Sequence, residues 1–486
     1  MNPLNLPLKI LFPIVSLLFL FHCSNSSQIL SGFSATPQNS LQSDFQPLLT
    51  DISGNFSLGF LKIQQFSLLL CIMHLPGSIT EPIWSANSDH LARWSSTHLS
   101  FNDTLVLSDS RSSPIWSING DGDRVVLLST GNLQLLRESG NKESPFVVWQ
   151  SFDHPTDTLM QGQNFTASMN LVSSLSITDT SKGKYSMRLN EDFLGLYADF
   201  HGNKEQLYWS RKATQEKARI KPGLGPIYAR LEPRGFLAMY QTETSLVDVL
   251  AFESFQFEAG LRKLRLEPDG NLRGFYWNNS KWVIDFEAIT DPCQLPSFCG
   301  PYGLCNNGGC SCLNNQTLYT PDWWCYTGQS EDLCNGSNGF RVLRREKVEL
   351  PFKQLMDQGT VGSLEECEDS CERNCSCWGA MYNNISRVCY SVMYPVQTLV
   401  EVGSEGRFGY VKVGLERERG ERNRVAEVVL LVVACVVLVG VGAFGVWSWW
   451  HRKKQAGFDG LLQEGLAPGS YRDLKAVSGS VELCNR

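Results

Sequence analysis

The residues of this 486-residue chain whose types and spacing could do chemistry are above all its cysteines. Twelve of the sixteen cysteines lie in two sets of six. The first set is Cys293, Cys299, Cys305, Cys310, Cys312 and Cys325, and the second is Cys334, Cys367, Cys371, Cys375, Cys377 and Cys389. Thiols this dense and even in number pair in an oxidising compartment, so each set predicts a disulfide framework whose connectivity stays open.

Metal binding is the competing interpretation of these cysteines. Structural zinc sites favour C-x2-C pairs, often with histidine, whereas the spacings here are C-x5-C, C-x-C and C-x3-C with no histidine nearby. Only Asp291 precedes Cys293 where a calcium site would need several acidic ligands. We therefore expect no metal and no other cofactor. Cys71 lies in an apolar run and is expected to be a buried thiol.

Motifs of catalysis are missing or stand in the wrong setting. The stretch 440–445 matches G-x-G-x-x-G, but it lies within an apolar segment with no preceding strand and no acidic residue at the required distance. The scattered histidines fit no protease or nucleophile setting; they are His74, His90, His98, His154 and His201. We expect a chain that is not an enzyme. A net charge of −7 without a basic patch gives no reason to expect nucleic acid as a partner.

The two ends of the chain predict its topology. Residues 1–25 have the charge, apolar stretch and small polar residues of a signal peptide. Residues 425–450 are long enough to cross about 30 Å of hydrocarbon. The cleavable signal places the N-terminal part outside and the tail, 451–486, in the cytosol. This predicts a single-pass type I protein of the plasma membrane.

Glycosylation sequons agree with a translocated N-terminal part. They occur at Asn55, Asn102, Asn164, Asn278, Asn315, Asn335 and Asn384. Each three-residue match is weak, but together they cover the predicted exterior.

The first part of that exterior predicts β-structure with a repeat. Short alternating or apolar segments broken by Asn, Asp, Ser and Gly show no helical period. Trp84, Trp116 and Trp149 each end a strand-like segment at intervals of about 32 residues. This spacing predicts three related sheets around a shared core that the three tryptophans help to fill.

Several motifs resemble a known family. The runs Ile83–Asn87, Ser129–Leu133 and Trp149–Leu159 look like the bulb-type mannose lectin domain of plant S-domain proteins. These include the S-locus glycoproteins and the G-type lectin receptor kinases. The resemblance implies a mainly β fold: tandem β-prism II lectin-like domains, an EGF-like module, an α+β PAN/apple module and a single transmembrane helix.

The resemblance continues along the predicted exterior in the family's order. It implies a bulb-type lectin-like domain at 26–160, an S-locus-glycoprotein-type domain at 161–290, an EGF-like module at 291–326, a PAN module at 334–414 and a linker at 415–424. Within the PAN module, Ser363 and Glu366 predict a capping box before a helix that carries Cys367 and Cys371 on one face. The pair Cys375 and Cys377 is expected on one face of a strand.

The sugar-binding signature of the bulb lectins, Q-x-D-x-N-x-V-x-Y, is degraded in this chain. Placed on 128–136 it keeps only Asn132, and placed on 267–275 it keeps Asp269 and Asn271. Since Asp-Gly-Asn is also a common turn sequence, the turn is the favoured interpretation of the second match. We expect that the lectin fold is retained while mannose binding is lost.

The predicted cytosolic tail, residues 451–486, differs from that of the receptor kinases in the family. It lacks the glycine-rich loop, the lysine motif, H-R-D and D-F-G of a kinase, although 470–474 resembles the segment that leads into one. Tyr471 and Leu474 also fit a sorting motif for endocytosis. The resemblance implies a non-enzymatic receptor, co-receptor or regulator that binds a protein or peptide ligand, self-associates or pairs with receptor-like kinases. The alternatives are a carbohydrate-binding sensor and a structural, adhesive wall-facing glycoprotein.

Overall fold

The computed structural model describes most of the chain between residues 28 and 459. The described ranges are 28–38, 43–63, 66–76, 81–109, 113–140, 144–200, 205–213, 220–223, 225–255, 260–306, 309–314, 325, 333–334, 339–356, 359–414 and 419–459. The chain divides into two units, Met1–Leu415 and Glu416–Arg486.

The first thirteen strands form three antiparallel sheets, which we call the first prism. They are β1 (Gln28–Leu30), β2 (Phe33–Ala35), β3 (Phe45–Thr50), β4 (Phe56–Ile63), β5 (Ser67–His74), β6 (Pro82–Ser85), β7 (Ala92–Arg93), β8 (Thr97–Phe101), β9 (Leu105–Asp109), β10 (Pro114–Ser117), β11 (Arg124–Leu127), β12 (Leu133–Arg137) and β13 (Phe146–Gln150). The sheet orders are β1-β11-β12-β13, β10-β9-β8-β2 and β3-β4-β5-β6, with β7 also paired to β5.

The alternation of buried and more exposed side chains along these segments explains why they form strands. Thr97, Leu99 and Phe101 on β8 are buried, whereas the residues between them are half-buried. The inward-facing residues of all three sheets form one core that includes Leu107 and Leu135. Period-two burial of this kind holds the strands in register, because a slip by one residue would turn the apolar set outward.

The next twelve strands form a second set of three four-stranded sheets, the second prism. They are β14 (Thr158–Met160), β15 (Asn164–Phe165), β16 (Leu171–Ser174), β17 (Lys182–Leu189), β18 (Phe193–Asp199), β19 (Glu205–Lys212), β20 (Tyr228–Glu232), β21 (Phe236–Thr242), β22 (Ser245–Ala251), β23 (Arg262–Leu266), β24 (Leu272–Trp277) and β25 (Trp282–Glu287). The sheet orders are β14-β23-β24-β25, β15-β20-β21-β22 and β16-β17-β18-β19.

The boundary between the prisms differs from the expected one. The resemblance places Thr158–Met160 in the first lectin-like domain, but β14 pairs with β23 of the second prism. The reason is that the sequence motif ending at Leu159 runs through the junction and into the next sheet. The second prism therefore begins before residue 161.

The cysteine-rich region adds two further sheets and a short helix. Its elements are β26 (Gly303–Asn306), β27 (Gly309–Cys312), β28 (Phe340–Glu346), β29 (Val348–Glu349), β30 (Gly359–Thr360), α1 (Leu364–Glu372), β31 (Gly379–Asn383), β32 (Val388–Val392), β33 (Leu399–Glu401) and β34 (Arg407–Gly414). The sheet orders are β27-β26-β33-β29 and β28-β34-β31-β32-β30. Because β26 pairs with β33, the two expected cysteine modules share one sheet.

Six disulfides link the twelve cysteines, each within its own set. The pairs are Cys293–Cys305, Cys299–Cys310, Cys312–Cys325, Cys334–Cys375, Cys367–Cys389 and Cys371–Cys377. Cys71 is free and buried in the first prism.

The helix α1 begins at the expected capping residue. The Ser363 hydroxyl accepts a hydrogen bond from the backbone N–H of Glu366 at 3.2 Å, as predicted. The Glu366 carboxylate, however, accepts from the N–H of Gly362 rather than from that of Ser363, at 2.7 Å. The reciprocal half of the predicted capping box is therefore wrong by one residue, and the carboxylate still satisfies a donor before the helix.

The expected strand face for Cys375 and Cys377 is also wrong. Both lie in the loop between α1 and β31, and their partners are far apart in sequence. Cys377 bonds Cys371 on α1, whereas Cys375 bonds Cys334. Cys367, one turn before Cys371, bonds Cys389 on β32, so the two buried cysteines of the helix staple it to a loop and to a strand.

A fully buried lysine holds the other end of α1. The Lys412 side chain is 0% exposed, and its ammonium donates to the carbonyl of Cys371 at 2.7 Å and to that of Asn374 at 3.1 Å. The ammonium also lies 4.6 Å from the ring of Phe340. Burial lowers the pKa of Lys412, while the charge of Glu372 acts in the opposite direction. A cation at the C-terminal end of a helix satisfies carbonyls that have no partner in the helix.

The second unit contains a long helix, α2 (Arg419–Asp459). Among the described residues, its stretch Val429–Arg452 is the one helix that is long and apolar enough to cross a membrane. Its length agrees with the span expected at 425–450.

Replacing Lys412 tests the role of the buried ammonium. We expect Lys412→Met to lower the free energy of unfolding by about 2 kcal/mol, because buried carbonyls lose a charged donor. Denaturant unfolding of the non-reduced full chain in detergent, followed by tryptophan fluorescence, measures this. Lys281→Met, at an exposed lysine, is the matched control. Equal stability of both variants and the parent would contradict the capping role.

Candidate ligand-binding surfaces

Three tryptophans meet at one end of the first prism, one from each sheet. Trp84 lies on β6, Trp116 on β10 and Trp149 on β13. Their ring centroids are 5.9, 5.9 and 6.1 Å apart, and the rings meet edge to face at 69–73°. This arrangement, favourable for aromatic rings, confirms the shared core predicted from their spacing. We call these residues the tryptophan triad.

The triad forms one wall of a large cavity between the prisms, which we call the prism cavity. Its volume is about 860 Å³, and its opposite wall comprises β16 of the second prism and the residues on either side of it. Trp84 is buried, and its indole N–H donates to the carbonyl of His154 at 2.8 Å. Trp116 and Trp149 are only half-buried, and the ring of His154 stacks on Trp149 at 5.4 Å. The cavity thus offers aromatic surface that the fold has not covered.

Ion pairs between two buried cations and a half-exposed carboxylate, that of Glu81, join the prisms beside this cavity. Lys263 on β23 of the second prism donates to Glu81 of the first prism at 3.1 Å. Arg265 donates to Glu81 and to Asp157, each at 2.9 Å. The Lys263 ammonium also lies over the ring of Trp282 at 4.7 Å. We call Glu81, Asp157, Lys263 and Arg265 the ionic joint.

Burial and mutual charge set the protonation of the ionic joint. Burial lowers the pKa of Lys263, partly offset by the charge of Glu81. Burial by itself would raise the pKa of Glu81, but Lys263 and Arg265 outweigh it and hold this pKa below its usual value. The charged form of Glu81 is therefore the one that the joint stabilises.

A buried histidine, His74, packs beside the ionic joint. His74 at the end of β5 is 7% exposed and contacts the rings of Trp277 and Trp282 at 4.7 and 5.1 Å. Its Nδ1 atom is buried and has no partner among the residues that the structure describes. Burial, and then the charge of Lys263, lower the pKa of His74 to about 4, against a smaller opposing effect of Asp51. The packed imidazole is therefore neutral near pH 7.

The first sugar-site candidate is used by the fold itself. Asn132 is buried, and its amide nitrogen donates to the side chain of Gln150 at 2.9 Å. Its amide oxygen accepts from the hydroxyl of Ser151 at 3.3 Å and from the N–H of Phe152 at 3.2 Å. These bonds tie the turn before β12 to the last residue of β13 and to the two residues that follow it.

The second pair of candidates divides between the interior and the surface. Asn271 is 1% exposed, and its amide donates to the carbonyl of Ile289 at 2.7 Å and accepts from the N–H of the same residue at 3.1 Å. Asp269 is 42% exposed, accepts from the N–H of Asn271 at 2.8 Å and pairs with Arg273 at 2.8 Å. The turn interpretation therefore accounts for both side chains.

A third asparagine of this kind was not singled out from the sequence. Asn87 is buried after β6, where its amide accepts from the N–H of Leu70 at 2.8 Å and donates to the carbonyl of Leu68 at 3.1 Å. Its sequence signal is a small residue before an asparagine, as at Asn132 and Asn271. All three amides hydrogen-bond backbone groups of segments distant in sequence.

The predicted sequons and cysteines are placed as follows. Asn55, Asn102, Asn164, Asn278 and Asn384 are exposed on the first unit. Asn315 and Asn335 lie outside the described residues, as do the predicted signal peptide, Tyr471, Leu474 and the rest of the tail beyond residue 459. The sulfurs of Cys299, Cys305 and Cys310 lie together, but they belong to two neighbouring disulfides and so are not free thiolate ligands.

Sequence reasoning missed the prism cavity and the ionic joint. The available signal was the strand Arg262–Leu266, whose five residues are all buried although three of them are cationic. Charged residues in a buried strand require partners, so such a strand predicts a buried interface. The identity of Glu81 as that partner could not be read from the sequence.

Three family models match parts of the chain. Residues 81–181 match the family model of the D-mannose binding lectin. Residues 237–316 match the S-locus glycoprotein domain, and residues 334–393 match the PAN-like domain.

Two relatives match most of the chain. A PAN domain-containing protein of Arabidopsis thaliana is 44% identical over 94% of this chain and 92% of its own length. A G-type lectin S-receptor-like serine/threonine-protein kinase from the same plant is 27% identical over 82% of this chain. This chain covers 47% of that kinase, about half of its length. A solved lectin from Colocasia esculenta covers 28% of this chain at 18% identity and a TM-score of 0.17, too low to carry an argument.

The buried histidine predicts how stability depends on pH. The pKa of His74 is about 4 in the folded protein, whereas a solvated histidine of the unfolded chain has a pKa of about 6.5, so the unfolded chain binds more protons between these pH values. The free energy of unfolding should therefore fall as pH falls from about 6.5 toward 4, by on the order of 3 kcal/mol. Thermal unfolding of the full chain at a series of pH values measures this. His74→Phe should flatten the profile in this window, whereas His90→Gln, at an exposed histidine, should not. An unchanged slope in His74→Phe would contradict the assignment.

Substitutions at Asn271 and Asp269 distinguish a structural role of this turn from a sugar-binding role. Asn271→Ala leaves the N–H and carbonyl of Ile289 without partners and should lower the free energy of unfolding by about 3 kcal/mol. Asp269→Asn keeps an acceptor at an exposed site and should cost less than about 1 kcal/mol. Denaturant unfolding of both variants tests this. If both variants lost mannose binding while their stability stayed unchanged, the two side chains would form a working sugar site instead.

Proposed function

This chain belongs to the family of plant proteins that combine lectin-like, S-locus-glycoprotein and PAN modules, and we propose that it is a non-enzymatic receptor-like glycoprotein of the plasma membrane. In this proposal residues 28–414 face the cell exterior and Val429–Arg452 crosses the membrane once. The exterior binds a protein or peptide ligand and pairs with itself or with S-domain receptor kinases.

The observation that carries the proposal is the match between this chain and the kinase relative. The chain holds the lectin-like, S-locus-glycoprotein and PAN modules and a candidate membrane span, yet its sequence contains none of the kinase motifs. It also spans about half the length of that relative. Recognition modules joined to a candidate membrane span fit a receptor-like protein that binds a ligand or a partner.

The described side chains argue against a glycan bound on the faces of the sheets, and so favour a protein ligand. The amides of Asn132 and Asn271 are buried and hydrogen-bonded within the fold, so binding a sugar there would break those bonds. Breaking them would leave buried polar groups unpaired at a cost of about 1–3 kcal/mol each. The exposed sequons Asn55, Asn102 and Asn384 fit an exterior location.

Association with receptor kinases can be tested in plant membranes. We expect a tagged full chain, solubilised in mild detergent, to co-purify with S-domain receptor kinases identified by mass spectrometry. The matched control keeps the signal peptide and residues 415–486 but replaces 28–414 by an unrelated secreted domain. Kinase recovery that is equal for both proteins, or absent with the full chain, would overturn the pairing.

A further inference from the structure

We propose that the prism cavity binds the guanidinium group of an arginine side chain presented by a peptide or protein ligand. This inference rests on the proposed function, because it concerns the ligand of the same exterior. It goes further by assigning a site and a chemical class of contact. The site is separate from the strand faces that carry the degraded sugar signature.

The dimensions of the cavity suit a side chain or a short peptide. Its volume of about 860 Å³ lies within the range of pockets that bury small ligands, about 300–1,000 Å³. Its walls belong to two prisms that Glu81 links through Lys263 and Arg265, and Arg265 itself lines the cavity. The cavity is therefore largely preformed.

The tryptophan triad supplies the aromatic part of the site. Trp116 and Trp149 are half-buried and line the cavity, and neither indole N–H donates to another described residue. The faces of indole rings attract cations within about 6 Å of the ring centroid. A planar guanidinium also stacks on such a ring, which an ammonium cannot do.

Among the charged residues that line the cavity, Asp153 is a carboxylate without a cationic partner in the described part of the chain. Lys182 pairs with Asp89 at 2.6 Å, and Arg265 pairs with Asp157 at 2.9 Å. Asp153 has no cationic partner among the described residues and accepts a single hydrogen bond from Gln150, at 3.0 Å. Since both lining cations already have partners, an anionic ligand would find no free cation. An incoming cation would find the Asp153 carboxylate.

Asp153 is placed where it can act together with the aromatic wall. It ends the short 3-10 helix Ser151–Asp153 that follows Trp149 and Gln150 in sequence, and it is exposed. A carboxylate accepts two parallel hydrogen bonds from a guanidinium, which gives strength and orientation together. Stacking on an indole and pairing with this carboxylate are the two contacts that arginine makes best.

Neutral polar groups in the cavity remain available to a peptide backbone. The side chains of Ser117 and Asn119 line the cavity and hydrogen-bond no other described residue. A peptide backbone that lies against them can hydrogen-bond both side chains.

The test uses the full chain in detergent micelles and two fluorescent hexapeptide libraries. In one library arginine is fixed at one position, and in the other citrulline, its neutral isostere, replaces it. Fluorescence anisotropy should show binding of the arginine library and at least about tenfold weaker binding of the citrulline library. Asp153→Asn should weaken arginine binding about tenfold, whereas Asp121→Asn, at an exposed aspartate of the same prism, should not. Lys182→Met should strengthen binding, because it frees Asp89 to accept from the ligand.

Other outcomes would overturn the inference. Equal binding of both libraries would exclude recognition of the guanidinium. Binding of mannotriose that is lost in Asp153→Asn would make the cavity a saccharide site instead. No binding to a parent chain with intact disulfides and normal unfolding would exclude the site, and Lys182→Met gives an independent reading if Asp153→Asn is unstable. Co-purification with receptor kinases is a separate measurement, so failure of the cavity inference leaves the proposed pairing standing.

Discussion

The ionic joint is the interaction on which the binding geometry of the exterior depends. Lys263 and Arg265 are almost fully buried at the contact between the prisms, and together they neutralise Glu81 and Asp157. Removing such charges from water costs several kcal/mol per ion, which their mutual attraction returns only when the geometry holds. The two prisms are therefore held in one relative position, because any displacement would leave a buried charge without its partner. Two of these residues, Asp157 and Arg265, also line the prism cavity, so the joint and the cavity share part of their structure.

Buried asparagines explain how a lectin fold can persist while its sugar signature decays. Asn87, Asn132 and Asn271 each hydrogen-bond backbone or side-chain groups that would otherwise be unpaired in the interior. Their retention is therefore required by the fold, whatever the sheet faces bind. A short motif such as Asp-Gly-Asn carries structural information first, and its function depends on whether the side chains reach the surface.

The cysteine-rich region is stabilised by different means from the prisms. Its two sheets are small, so covalent links replace part of the apolar burial that larger domains use. The helix α1 illustrates this, because two disulfides and the ammonium of Lys412 hold a helix of only nine residues. The pairing of β26 with β33 then joins both cysteine modules into one sheet.

The sequence by itself determined the features that depend on local pattern. Short alternating or apolar segments predicted the strands, and the spacing of Trp84, Trp116 and Trp149 predicted three sheets around one core. The apolar stretch near the C-terminus predicted a helix long enough to span a membrane. Only the tertiary structure decided which cysteines pair, where Glu366 finds its donor and which strand joins the second prism. It also decided that Lys263 meets Glu81, a residue 182 positions away. The physical reason is that local patterns follow from backbone geometry and burial, whereas partners distant in sequence are chosen by packing, which no short stretch of sequence records.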